Sequence, residues 1–433
     1  MKNLLLIFIL IVFQSCTFSD EDNQGFYSEV TSYLECWATT LQSPEGVGAA
    51  VAITGNDIYL GEGKYNTSGV LIAGSDGDML YLSKYNSCGN LDWQTLLPST
   101  IGGGKFRDLI LDSDKNVLVL TEITQQFELY KFNSSGTKIW TQTTALSGGI
   151  NPRQIVIDND NNIYVAGYTP TNQNNSYGSN LADSADWNSE DFFIRKYDQD
   201  GTTILWTHQW GAGGTASTIN DTGTAITIDN SNNIYVAGKT NGCPSGLSCG
   251  GSEDIVVLKL NSSGNRIWTK VFGDGSSDSV LRITYHNGYI YFWGASDRIS
   301  GYSWALTKLD TDGNQIWDKG VTVSENILIM SGYSNNQGGE MIFDSENNLI
   351  LSGSLYNSLN NHSLWISKFN TDGEMLFEKV VSSGSNDELR DVAVDSENNI
   401  YITGFTEGSF DGRTTFGASD MFVMKLNSNG QVQ

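Results

Sequence analysis

Aspartate and asparagine recur in this sequence at a spacing that calcium-binding loops also use. The segments "DNDNNIYVAG", which starts at Asp158, and "DNSNNIYVAG", which starts at Asp229, both begin like a calcium loop. An EF-hand loop would continue with Gly at its sixth position and a bidentate Glu at its twelfth. Here the sixth residue is Ile, and the twelfth residue counted from Asp158 is Thr169. The segments therefore predict hairpin turns, in which Asp and Asn tolerate left-handed φ and bond their own backbone.

The Asp and the Asn recur, four residues apart, at five places in the chain. These are Asp112 and Asn116, Asp158 and Asn162, Asp229 and Asn233, Asp344 and Asn348, and Asp395 and Asn399. Two related turns, "TGNDIY" and "YHNGYIY", lack the Asp. We therefore expect no function that needs an Asp in every turn.

The sequence offers no histidine-based or phosphate-binding motif. The three histidines, His208, His286 and His362, show no H-x-H or H-E-x-x-H spacing. No Walker loop occurs. Scattered carboxylates remain the chemistry that an enzyme of this sequence could use.

Four short segments recur in a fixed order and indicate the fold. Between residues 222 and 274 they are "GTAITID", "NIYVAGKT", "DIVVLKLN" and "RIWTKVFG", each bounded by Asn, Asp, Gly or Ser. Short apolar or alternating runs between such residues are typical of β-strands joined by turns. The Lys of the third segment occurs seven times, at Lys84, Lys131, Lys196, Lys259, Lys308, Lys368 and Lys425.

The fourth segment carries a tryptophan in most repeats. It contains Trp93, Trp140, Trp206, Trp268 and Trp317, then Phe377, and it is missing after residue 425. A strand of the same character surrounds Trp37. We therefore predict an all-β, seven-bladed β-propeller of four-stranded blades, whose ring is closed when the N-terminal strand around Trp37 completes the last blade. The predicted propeller spans residues 30–433, with units at about 47–97, 105–146, 151–212, 222–274, 278–323, 337–383 and 387–433 plus 30–43.

The pattern "D-x-x-x-N-I-Y-V-A-G", then "D-x-F-V-x-K-Y/L-N", then "G-x-x-x-W" resembles the bacterial β-propeller repeat of the SBBP type. The resemblance covers residues 30–433 and implies the fold rather than a function, because propellers carry unrelated activities. The repeated Trp is expected to pack between neighbouring sheets. The repeated Lys is expected to cover apolar surface while its ammonium reaches an Asp or a carbonyl.

Loop length differs between the two ends of the strands. Turns after the first and third strands are short, whereas connections after the second and fourth are long, as in "GEGKYNTSGVLIAGSDGD" of the first unit. Binding residues concentrate on variable loops of a rigid scaffold, so the loop-rich face is the predicted ligand-binding face. The third unit has an insertion with aromatic, amide and acidic groups, and its candidate ligand-binding residues are Asn174, Asn175, Tyr177, Asp183, Asp186, Trp187, Glu190 and Asp191. Two alternatives are a solvated loop whose Trp packs back on its blade and a site for one calcium ion.

The N-terminus has the features of an export signal. Residues 1–16, "MKNLLLIFILIVFQSC", contain one Lys, an apolar run and a Ser before Cys16, which resembles a lipoprotein signal with Cys16 as its lipidation site. The alternative is an ordinary cleaved signal peptide. Residues 17–29 are polar and acidic, which is typical of a flexible tether. Together they predict a protein anchored by palmitate-type lipid outside the cytoplasm, in a bacterial outer membrane, on its surface or facing the periplasm.

Charge and cysteine content limit the partners. The chain has 24 Lys and Arg against 49 Asp and Glu, a net charge of −25. This excess repels phosphate, so neither nucleic acid nor an anionic membrane is an expected partner beyond the lipid anchor. Cys243 and Cys249, in "NGCPSGLSCGG", are predicted to form a disulfide, whereas Cys36 and Cys88 have no such neighbour.

The sequence predicts a monomeric binding scaffold that presents its loop-rich face to a protein or a glycan. No metal site is predicted and no cofactor is expected, with calcium left open. The alternative function is an extracytoplasmic hydrolase, lyase or lactonase that uses carboxylates or calcium at the central channel.

Overall fold

The structure is a computed structural model. It describes residues 39–41, 46–53, 56–60, 63–66, 70–76, 79–85, 91–97, 105–123, 126–144, 149–169, 190–212, 219–273, 275–296, 299, 304–321, 328–329, 339–356, 361–410 and 420–433. All regular secondary structure in these ranges is β-strand. The described residues include no helix that could cross a membrane.

Six sheets are four-stranded blades in which neighbouring strands are antiparallel. Blade one consists of β2 (Gly46–Ile53), β5 (Val70–Asp76), β6 (Met79–Tyr85) and β7 (Leu91–Leu97). Blade two consists of β8 (Lys105–Leu111), β9 (Val117–Ile123), β10 (Gln126–Phe132) and β11 (Lys138–Thr144). Blade three consists of β12 (Asn151–Ile157), β13 (Ile163–Thr169), β14 (Asp191–Tyr197) and β15 (Ile204–Trp210).

The next three blades follow the same order from the inner to the outer strand. Blade four consists of β16 (Asp221–Ile228), β17 (Ile234–Thr240), β18 (Asp254–Leu260) and β19 (Arg266–Phe272). Blade five consists of β20 (Ser279–His286), β21 (Tyr289–Ala295), β22 (Trp304–Asp310) and β23 (Gln315–Gly320). Blade six consists of β25 (Gly339–Phe343), β26 (Leu349–Tyr356), β27 (His362–Phe369) and β28 (Met375–Val381). The short β24 (Leu328–Ile329) pairs with the same edge of β26 as β25 does, so this sheet is four strands wide.

The remaining sheet has six strands, and we call it the closing sheet. Its order is β1 (Thr39–Leu41), β31 (Asp420–Leu426), β30 (Ile400–Thr406), β29 (Asp387–Val394), β3 (Asn56–Leu60) and β4 (Gly63–Asn66). The strand β1 is antiparallel to β31, with Thr39 opposite Val423. At the other edge, the hairpin of β3 and β4 joins β29 where Tyr59 pairs with Val394.

The prediction of seven four-stranded blades is therefore wrong. The structure has six such blades, and the last repeat lies in a six-stranded sheet. The difference arises in the first unit, where "VLIAGSD" forms β5 and pairs with β2 as the second strand of blade one. Because β5 takes that place, "NDIYL" and "GKYN" form the separate hairpin β3–β4. The connection predicted to be a long loop in this unit thus contains the strands β4 and β5.

In blades two, three and six, the Asp of the turn is paired with the Lys of the third strand. In blade three, Lys196 Nζ lies 3.0 Å from Asp158 Oδ2, and both residues are buried. Tyr164 donates its hydroxyl to the same oxygen at 2.9 Å. The backbone N–H of Asn162 donates to Asp158 Oδ1 at 2.8 Å, which closes the turn. Equivalent ion pairs join Lys131 to Asp112 and Lys368 to Asp344, so the turn carboxylates are structural.

The Trp of each outer strand packs on a glycine of the next blade. The ring of Trp206 in blade three lies against Gly264 in the turn between β18 and β19, where an added Cβ would come within 2.7 Å of the ring. The Trp206 indole N–H also donates to the carbonyl of Ser262 at 3.1 Å. The same contact joins Trp93 to Gly136, Trp140 to Gly201, and Phe377 to Gly430. The aromatic residue is thus a spacer between neighbouring blades.

We expect Asp158→Ala to lower the free energy of unfolding by about 3 kcal/mol, because it leaves Lys196 buried without its counter-ion. Burial opposes the ionisation of Asp158, but hydrogen bonds from Asn162 and Lys196 outweigh it and lower the pKa of this carboxyl. Its contribution is therefore present at neutral pH and is lost as the pH falls through the lowered pKa. Urea denaturation at several pH values measures this. The matched control Asp200→Ala, at an exposed turn of the same blade, should change stability by less than about 0.5 kcal/mol. Equal losses in the two variants would contradict the ion-pair explanation.

We expect Gly264→Ala to destabilise the protein by about 2–4 kcal/mol, since Ala at positive φ costs about 1 kcal/mol and Trp206 must also move. The φ of Gly264 is +82°. Gly288, with φ +85° and nothing within 4 Å of an added Cβ, provides the matched control: Gly288→Ala carries the backbone cost alone. Thermal melting and Trp fluorescence report stability and the state of the indole. If the control is as destabilised as Gly264→Ala, the Trp contact contributes nothing.

Candidate functional site

The inner strands of the blades surround a central axis. In order around this axis, β2, β8, β12, β16, β20, β25 and β29 each pack beside the next, and β29 packs beside β2. Each of the six inner strands from β8 to β29 places one residue opposite the same position of its second strand. These residues are Asp108, Gln154, Ala225, Arg282, Glu340 and Asp391, which we call the channel layer. Arg282 lies five residues before the following turn, and the other members lie four residues before theirs.

A β-bulge precedes most members of the channel layer. The pairing register shifts between Phe106 and Asp108, between Pro152 and Gln154, and at the equivalent place in β16, β20 and β29. A bulge inserts one residue and re-aims the next side chain. Asp108, Gln154, Arg282, Glu340 and Asp391 are partly buried, and all five line the central cavity.

The central cavity extends from the channel layer to the short turns. Its volume is about 440 Å³, within the range of roughly 300–1,000 Å³ that is usual for small-molecule sites. Its walls between these two levels are mainly aliphatic and include Ile110, Val156 and Ile342. Polar groups surround its end at the turns: Ser113, Asn159, Asn161 and Asn230, together with the turn aspartates Asp158 and Asp229. An apolar cavity with a few convergent polar groups is the usual form of a ligand site.

Asp108 is held by two backbone amides. The N–H of Leu109 donates to its Oδ1 at 2.8 Å, and the N–H of Ile155 in the next blade donates to its Oδ2 at 2.9 Å. Burial raises the pKa of Asp108 to about 7, and the charge of Glu340 adds to this effect while Arg282 works against it. A carboxyl with such a pKa changes its protonation near neutral pH, which is a property of functional sites.

Arg282 is the cation of the channel layer. It forms an ion pair with Glu340 of the next blade, and its Nη1 donates to the carbonyl of Leu281 at 2.9 Å. Burial disfavours the charge of Arg282, but Glu340, Asp108 and Asp391 together raise its pKa. The buried Nε of Arg282 has no hydrogen-bond partner among the described residues. Three carboxylates therefore act on one guanidinium within the cavity.

Other inner-strand side chains join neighbouring blades. Gln154 Oε1 accepts the N–H of Ile226 at 2.9 Å, and Thr227 Oγ1 accepts the N–H of Tyr285 at 3.1 Å. These bonds fix the position of each inner strand along the axis relative to its neighbour. The residues of the channel layer therefore lie at the same level along the axis.

The candidate loop site is described only in part. Asn174, Asn175, Tyr177, Asp183, Asp186 and Trp187 lie outside the described residues. Glu190 is partly buried, and burial raises its pKa although Lys239 and Arg153 oppose this. Asp191 is buried at the start of β14 and accepts a hydrogen bond from Gln209 Nε2 at 2.6 Å. Asp191 thus belongs to the blade.

The cysteines and possible metal ligands are placed as follows. Cys243 and Cys249 form the predicted disulfide, with their Cα atoms 5.6 Å apart. Cys16, Cys36 and Cys88 lie outside the described residues. Within the described ranges, no three His, Cys, Asp or Glu side chains are grouped closely enough to hold a metal ion.

The sequence interpretation named no residue of the channel layer: its candidate residues all belonged to the insertion of the third unit, although its alternative function used carboxylates at the central channel. A signal was present: polar residues of different types stand at one recurring position of the inner strands, four or five residues before the turn. In a repeat protein, a position that is polar in several repeats but differs between them indicates a site rather than construction.

Comparisons with known proteins agree on the repeat. A family profile described as a β-propeller repeat matches residues 139–172 and 205–243, which contain most of β11 to β13 and of β15 to β17. An uncharacterized WD repeat-containing protein of Acanthamoeba polyphaga mimivirus is 23% identical across 80% of this chain. The chain spans 28% of the length of that relative.

Several solved structures are similar to the chain. The WD40 β-propeller domain of Doa1 is 10% identical, with a TM-score of 0.47 over 89% of this chain and 95% of that one. The Pan2 WD40 domain of Neurospora crassa is also 10% identical, with a TM-score of 0.46 over 91% and 98%. A protein of unknown function from Bacteroides caccae is 15% identical, with a TM-score of 0.35 over 66% and 96%. Two parts of the chain thus match a β-propeller repeat, and the sheets of the structure are those of a β-propeller.

Proposed function

We propose that this protein is a binding scaffold, lipid-anchored through Cys16 outside the cytoplasm, that presents its loop-rich face to a protein or a glycan. The observation that carries the proposal is the separation of turns by face. The turns after the first and third strands of blades two to four are short and closed by hydrogen bonds of Asp or Asn, such as Asp112, Asn133 and Asp158. The longer connections lie at the other end of the strands, where a rigid scaffold can carry variable binding loops.

We expect Trp187→Ala to weaken binding of the scaffold's ligand by about tenfold or more, because aromatic anchors dominate many binding surfaces. A glycan array and a protein-binding screen with the chain from residue 26 onward would identify the ligand, and titration with each variant would give the affinities. Tyr289, an exposed aromatic residue at the short-turn end, provides the control Tyr289→Ala. Unchanged binding by Trp187→Ala would remove the insertion of the third unit as the site.

A second function, hydrolysis or elimination at the central cavity, is supported by one observation. Asp108, Glu340 and Asp391 converge on the cavity, and burial raises the pKa of Asp108 to about 7. General acid–base catalysis works best with a group whose pKa lies near the working pH. Calcium prefers carboxylate oxygens, but Asp108, Glu340 and Asp391 are not grouped closely enough to hold a metal ion, so the calcium form of this second proposal requires ligands from beyond the described residues.

If Asp108 is a general base, turnover of an ester, lactone or uronate-containing polysaccharide should rise with pH through about 7. Asp108→Asn should then lower the rate by about a hundredfold or more, whereas Asp200→Asn at an exposed turn should not. Rates measured with and without a calcium chelator distinguish catalysis by the carboxylates alone from catalysis that needs calcium. Absence of turnover across the panel would leave the scaffold as the function.

A further inference from the structure

The charge of the side chains that line the central cavity determines which class of ligand it can bind. The channel layer contains three carboxylates, Asp108, Glu340 and Asp391, and one guanidinium, Arg282. Since Arg282 is already paired with Glu340, full ionisation of the layer leaves an excess of negative charge inside the molecule. An anion would be repelled there, and a cation would be attracted more strongly than in water, because the surrounding dielectric is low.

The walls of the cavity limit the shape of that cation. Between the channel layer and the turns, the described lining is formed by aliphatic side chains, among them Ile110, Val156, Ile228 and Ile342. No aromatic residue occurs in this described lining, so stacking of a sugar or a nucleobase has no support here. Methylene groups, in contrast, are stabilised when they are buried against such walls.

We propose that the central cavity binds a small aliphatic ammonium ion, with its charged group at the carboxylates of the channel layer and its methylene groups along the aliphatic walls. The amide side chains of Asn159, Asn161 and Asn230 at the turns can accept hydrogen bonds from a second ammonium at the other end of the ligand. This site is separate from the loop-rich face, and it depends neither on the scaffold function nor on turnover.

Proton release accompanies binding at such a site. The groups that act on Asp108 are the amides of Leu109 and Ile155, the carboxylate of Glu340 and the guanidinium of Arg282. With a pKa of about 7, Asp108 is protonated in a fraction of molecules at neutral pH. A bound cation favours the ionised carboxylate, so affinity must fall as the pH drops below this value.

Isothermal titration of the full-length chain with cadaverine, a straight-chain diamine, tests the proposal. Pentanediol with a hydroxyl at each end and glutarate are neutral and anionic probes of similar length. We expect cadaverine to bind at least about tenfold more tightly than either probe, and its affinity to fall by up to about tenfold between pH ~8 and ~6. Equal binding of pentanediol or glutarate, or no binding of cadaverine, would overturn the proposal.

Variants locate the site. Asp108→Asn and Asp391→Asn should each weaken cadaverine binding by about tenfold, and Asp108→Asn should also remove most of its pH dependence. Asp200→Asn removes one exposed acidic charge away from the cavity and should bind as the parent does. If Asp108→Asn fails to fold because the amide of Leu109 or that of Ile155 loses its acceptor, Asp391→Asn and the comparison of the three probes still test the proposal. Failure of the scaffold proposal would appear in the Trp187→Ala titration instead, which this experiment does not involve.

Discussion

The contact between an aromatic ring and a glycine of the next blade is the constraint on which the rest of this structure depends. The turn that receives Trp206 must approach so closely that Gly264 has no room for a side chain. The left-handed φ of this glycine gives the turn its shape, and the indole N–H bonds to the Ser262 carbonyl beside it. The ring thickness therefore sets the spacing of two blades at their outer edges. The contact recurs in successive blades from Trp93 to Phe377. It therefore also sets the angle by which each sheet is rotated about the axis relative to the sheet before it.

The inner edges meet a different requirement, because their strands converge and one of them, β16, is buried on both faces. All eight residues of β16 are buried, so every polar group there needs a partner within the protein. Side chains of one inner strand meet this need by accepting backbone N–H groups of the next, as Gln154 does for Ile226. Asp108 does the same for Ile155, but a carboxylate in that place carries charge into the interior. The raised pKa of Asp108 is the consequence of that burial.

The sequence was sufficient for the repeat and for the contacts within it. The spacing of Asp158 and Asn162 predicted a hairpin turn, and the Lys of the third strand was expected to reach an Asp; both are confirmed by the Asp158–Lys196 pair. The number of four-stranded blades was not predictable in this way, because the repeated sequence does not determine which strand segments pair with each other in a sheet. In the first unit both "DIYL" and "VLIAG" have strand character, and only the pairing of β5 with β2 decides between them.

The channel layer was hidden for a related reason. Reading along the chain, Asp108 and Asp391 are charged residues some 280 positions apart, and each resembles a solvated residue near a turn. They become neighbours of Arg282 only when the inner strands close around the axis and the bulges turn their side chains inward. The repeated residues must be alike because every blade makes the same contact with the next. In the layer facing the axis, Asp108 and Gln154 each accept a backbone N–H of the next inner strand. A carboxylate and an amide oxygen both serve as this acceptor, so the residues of the layer are free to differ. A ring of nearly identical blades can therefore carry differently charged side chains at equivalent positions around its centre. The net charge of these side chains gives the cavity a preference for one kind of ligand.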